Sequence, residues 1–108
     1  MATVAKRKKK LVLSREVKAF AKERGLTPYL PKIMDVLREL FADARCWKVK
    51  VHIDPEIADL RWLLLEVEVP WKTGEQAMQA YRAWNRATEA VCPKPLMMEV
   101  TLLIRRVP

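Results

Sequence analysis

The residues best suited to chemistry are few and far apart. Cys46, His52 and Cys92 could in principle bind a soft metal or pair as a disulfide, and Asp54, Glu56 and Asp59 form an acidic run of the kind that holds a hard cation or shares a proton. Alternating apolar residues put Cys46 just before a first strand, and helical spacing puts Cys92 just after a third helix. Those positions are opposite ends of a sheet, roughly 20 Å apart at about 3.3 Å per strand residue. That gap is too wide for a disulfide and for a shared metal, so both cysteines are expected to be reduced thiols, with no metal and no cofactor. The acidic run has no calcium-loop spacing, and Asp54-Pro55-Glu56 is ordinary turn chemistry between two strands. No Ser-His-Asp, Cys-His or HExxH pattern occurs, and with only Gly25 and Gly74 available no glycine-rich phosphate loop can form. The expectation is a non-enzymatic protein.

Charge is the next candidate. The chain of 108 residues carries a net charge of +8. Residues 1–24 contain nine basic side chains against Glu16 and Glu23 and so hold +7 of it. Lys6, Arg7, Lys8, Lys9 and Lys10 are the densest part. Each phosphate such a run neutralises releases a counterion, which gives salt-sensitive, sequence-blind attraction to nucleic acid. Residues 1–10 lack apolar periodicity and read as a disordered basic tail, and residues 11–108 read as one α+β domain. The same run could serve as a solvated tail or a nuclear localisation signal. N-myristoylation is not expected, since the second residue is Ala2 and not glycine. No apolar stretch approaches a membrane span or a secretory leader, so a soluble, cytoplasmic protein with no membrane partner is expected.

The elements that must position these residues follow from hydrophobic period. Ser14 caps a helix to Arg24 with Val17, Phe20 and Ala21 as its stripe, and Gly25 is placed to end it. A second helix begins at Thr27 or Leu30 and runs to about Ala44 through Ile33, Met34, Leu37 and Phe41. The pattern then alternates. Trp47, Val49, Val51 and Ile53 share the inner face of strand one, and Leu63, Leu65, Val67 and Val69 that of strand two; a register of Lys50 with Glu66 and Lys48 with Glu68 matches opposite charges. Thr73-Gly74-Glu75-Gln76 is a capping box that opens a third helix with Tyr81, Trp84 and Thr88 inward. Leu96 to Val107 reads as strand three, with Met98, Val100, Leu102 and Ile104 inward.

The element order is therefore ααββαβ: an αα-hairpin and a crossover helix on a three-stranded sheet. The expected strand order is 2-1-3, a split β-α-β unit with every neighbour antiparallel and a right-handed crossover.

Two surfaces then offer function. Alternation turns Trp62 and Leu64 outward on strand two, and Met97 and Leu103 share that face on strand three. With all helices on the other side, this apolar group is an association surface for a second copy or a protein partner. The helix pair around Gly25 has helix-turn-helix spacing and makes a DNA-binding regulator the alternative, although Asp35, Glu39 and Asp43 on the would-be reading helix oppose phosphate. The run D-P-E, then W-L-L-L-E-V-E-V-P, then a helix with Tyr81 and Trp84 and a closing strand, resembles a group of small bacterial α+β proteins. The resemblance implies a fold of this kind and carries over no activity, substrate or site.

Overall fold

The computed structural model of the chain describes residues 13–107. Helix α1 spans Arg15–Glu23 and is capped as the sequence requires, with the Ser14 hydroxyl accepting from the Val17 N–H at 3.1 Å. At its far end Gly25 takes φ +75°, which lets Leu26 N–H reach back to the Ala21 carbonyl at 2.8 Å and Gly25 N–H to the Lys22 carbonyl at 3.3 Å. The chain thus reverses into α2, Leu30–Leu40, shorter than the run to Ala44 that the periodicity suggested. Strands β1, Cys46–Ile53, and β2, Arg61–Val69, form an antiparallel hairpin. Helix α3, Gly74–Val91, opens on the Thr73–Gln76 capping box. A four-residue helix α4, Lys94–Met97, precedes β3, Val100–Arg106.

The sheet order is β1-β2-β3, not 2-1-3. β2 lies in the centre, antiparallel to β1 and parallel to β3. The reason lies in the strands themselves. On β2 Leu63, Leu65, Val67 and Val69 have no exposure, and even its outward positions hold Trp62 and Leu64; β1 carries Lys48, Lys50 and His52 on its outer face and tolerates an edge. The rule favouring all-antiparallel small sheets loses to the burial of the most apolar strand. At the opposite edge the Tyr81 hydroxyl accepts the Ile104 N–H at 3.1 Å, so α3 covers part of the β3 edge as it packs.

The hairpin register pairs Lys48 with Glu66, Lys50 with Leu64 and Cys46 with Glu68, a slip of two residues from expectation. A two-residue slip preserves every side chain's face, which is why the inner and outer sets survive it. Two inward assignments fail. Met98 is 82% exposed because α4 occupies the stretch before β3, and Ile53 is 58% exposed because it lies at the open end of the hairpin. The core is otherwise continuous: Val17, Phe20, Ile33, Leu37 and Trp84 from the helices meet the inner faces of β2 and β3.

Candidate functional site

The helices that contribute to the core all pack on one face of the sheet, and Trp62, Leu64 and Leu103 take no part in that core. On the opposite face, three rows can be followed across the strands. His52 lies opposite Trp62; Lys50 lies opposite Leu64, which neighbours Thr101; Lys48 lies opposite Glu66, which neighbours Leu103. Alternation therefore sorts the face into an apolar end at the hairpin loop and a charged end at Cys46.

At the apolar end the His52 and Trp62 rings meet at 4.7 Å between centroids with a 37° tilt. Trp62 also lines a hollow of about 540 Å³ together with Leu60 and Met98, which Arg24, Asp59, Arg61, Glu99 and Thr101 share. Leu60 is 40% exposed and Leu103 39%. Met97 is not part of this group. It packs on the core and lines a hollow with Trp84 and Thr88 that Met98 also borders, because α4 rotates the chain just before β3. Met98 takes its place beside Trp62. A strand through residues 96–98 would have kept Met97 outward; the Pro93-Lys94-Pro95 sequence, with Pro at the first turn of α4, is the signal that could have indicated a helix there.

In the middle of the face Glu66 is only 9% exposed. Its carboxylate accepts from Arg105 Nη1 at 3.1 Å on one side and lies 4.0 Å from Lys50 Nζ on the other. Lys50 and Glu66 were expected to pair directly; they meet diagonally instead, and the Arg105 partner follows only from β3 lying beside β2. Two cations flank this one shielded acid, so the centre of the face carries both signs with a net charge of about +1.

The remaining sequence candidates resolve into structural roles. Asp54 Oδ1 accepts from the N–H groups of Glu56 at 2.7 Å and Ile57 at 2.9 Å, which makes the acidic run a turn, completed by Asp59 at φ 64°. Cys46 begins β1 opposite Glu68, and Cys92 caps α3 at the other end of the sheet; both are free thiols, and burial pushes the Cys92 thiol up from its ordinary pKa. Among the described residues no group of three or more His, Cys, Asp or Glu is placed to hold a metal, and no helix is long and apolar enough to cross a membrane. Lys6, Arg7, Lys8, Lys9 and Lys10 lie outside the described residues.

No protein-family model, no curated protein and no solved structure matches the chain.

Proposed function

We propose that this is a non-enzymatic interaction protein that self-associates through the helix-free face of its sheet, with each copy's Trp62 buried against the other. The observation that carries the reading is the hollow in which Leu60, Trp62 and Met98 converge at one end of a face that adds nothing to the core. An apolar end bounded by Lys48, Glu66 and Arg105 has the arrangement of an interface centre with a polar rim. In a twofold contact the same patch meets itself, so the mixed signs on this face suit a second copy better than a strongly acidic or basic partner. The basic tail adds sequence-blind attraction to nucleic acid as a separate property.

Sedimentation of the full chain and of Trp62→Lys tests this. The wild type is expected to show a monomer–dimer equilibrium in the micromolar range, and loss of two aromatic anchors per dimer, each worth about 2 kcal/mol, weakens it by roughly a thousandfold with the circular dichroism melt retained. Leu103→Lys should weaken it in the same direction. A wild type that stays monomeric, or a Trp62→Lys variant that dimerises unchanged, overturns the proposal.

A further inference from the structure

On the other side of the molecule, α1 and α2 enclose an open cleft of about 740 Å³. Its floor is apolar, built from Ala21, Leu30 and Met34, with Pro28 and Pro31 at its margin. Its rim is cationic along the α1 bank, whereas on the α2 bank Arg38 is offset by Asp35. Lys18 and Lys22 stand one turn apart on α1, exposed and without an ion pair among the described residues, and Arg38 stands on α2 beside Asp35 at 3.3 Å.

From this arrangement we infer a second binding surface: the α1–α2 cleft receives a partner protein's amphipathic helix that carries a row of Asp or Glu along the flank of its apolar stripe that faces α1. Three features select that occupant. Both banks are helical, with their N–H groups turned along their own axes, and Pro28 and Pro31 have no N–H at all; an extended peptide would find no ladder of backbone partners here, whereas a helix arrives with its backbone already satisfied. The α2 bank from Leu30 to Arg38 is about 12 Å long at 1.5 Å per residue, two turns of helix, which matches anchors at i, i+3 or i+4, and i+7. Lys18 and Lys22, one turn apart along the α1 bank, call for successive acids along the facing flank of the stripe, which a single-headed amphiphile such as a fatty acid cannot supply. Only Leu11 and Val12 separate Leu13, which lines the cleft, from the Lys6–Lys10 run, so the sequence adds further positive charge for steering an acidic partner.

The inference is independent of the sheet-face contact. Fluorescence anisotropy on the full chain tests it with a labelled, capped helical peptide of about four turns bearing Leu along one stripe and Glu along one flank. Its counterpart with Lys in place of Glu and sodium dodecanoate serve as comparison probes. The Glu peptide should bind at least tenfold more tightly than the Lys peptide. The Lys18→Glu/Lys22→Glu double variant should lose at least tenfold for the Glu peptide, and so should Pro31→Glu, an exposed first-turn position where an acid suits the helix. Amide shifts on titration should centre on Ala21, Gly25 and Met34, with Trp62 unmoved. Failure of the full chain to bind the Glu peptide, equal binding by the charge-reversed variant, shifts centred on Trp62, or a response to dodecanoate alone would each overturn the assignment. A monomeric wild type would sink the sheet-face reading and leave this one standing.

Discussion

Arg24 and Glu99 meet at 2.6 Å although seventy-five positions separate them in the chain. Arg24 is the C-terminal cap of α1, and Glu99 sits in the single step between Met98 and β3, so this ion pair fastens the αα-hairpin to the entry of the third strand. The guanidinium also lies 4.7 Å over the Phe20 ring, and Arg61 approaches the same ring at 5.4 Å while bonding Glu23 at 2.7 Å. Two arginines thus lie over one buried aromatic at the edge of the core.

Removing either member of the Arg24–Glu99 pair is expected to destabilise the fold by about 1 to 2 kcal/mol, since a partly shielded, charge-assisted hydrogen bond is lost. Urea unfolding of Arg24→Met, Glu99→Gln and the double variant measures the coupling. Strict additivity of the two single changes would show that the contact contributes nothing of its own.

Leu65 occupies the centre of the central strand with no exposure, between Val49 on β1 and Leu102 on β3. Leu65→Ala should cost about 2 to 5 kcal/mol through lost burial and an unfilled cavity. Leu64→Ala, one residue away on the outer face, should cost far less. Similar losses for the two in thermal unfolding would contradict the assignment of faces.

Tyr81→Phe removes the hydroxyl that accepts the Ile104 N–H at the β3 edge. A loss of about 1 kcal/mol is expected, together with faster hydrogen exchange at Ile104. An unchanged exchange rate at that amide would mean the edge is protected by something else.

Alkylation should distinguish the thiols: half-buried Cys46 reacts first, and buried Cys92 resists until the chain unfolds. Because burial raises the folded Cys92 pKa above its unfolded value, the native state keeps a proton that the unfolded state gives up. Stability is therefore unaffected below the ordinary thiol range and falls as pH rises through it. Cys92→Ala should lack that alkaline decline; a variant with the same slope would assign the decline to other groups.

Affinity for nucleic acid, if carried by the tail, should reside in residues 1–10. The full chain should give a log–log salt slope no steeper than about −4 to −5 on duplex DNA, and deletion of the tail should abolish most of the binding. Sequence-selective binding by the truncated chain would favour the helix pair as a DNA reader instead.

Local chemistry alone was enough for α1, α2 and α3 and for two of the three strands. The Ser14 cap, the left-handed Gly25, the capping box at Thr73 and the switch from helical to alternating period act over four to eight neighbouring residues, and each is legible because both partners in the contact lie close in the chain. The facing of Trp62, Leu64 and Leu103 was equally legible, since alternation survives a register slip of two.

What only the tertiary structure decided is which strand lies in the middle and everything that depends on that choice. Once the hairpin forms, β3 can add to either edge, and no local signal compares the two; the outcome rests on burying β2 on both sides, a sum over the whole sheet. Glu66 gains Arg105 only because β3 then lies against β2, and Met98 replaces Met97 beside Trp62 only because the proline-flanked α4 turns the chain before β3 begins. The cleft between α1 and α2 has the same origin: periodicity places Lys18, Lys22 and Arg38 on their helices, but the angle at which two helices meet is set by the core beneath them.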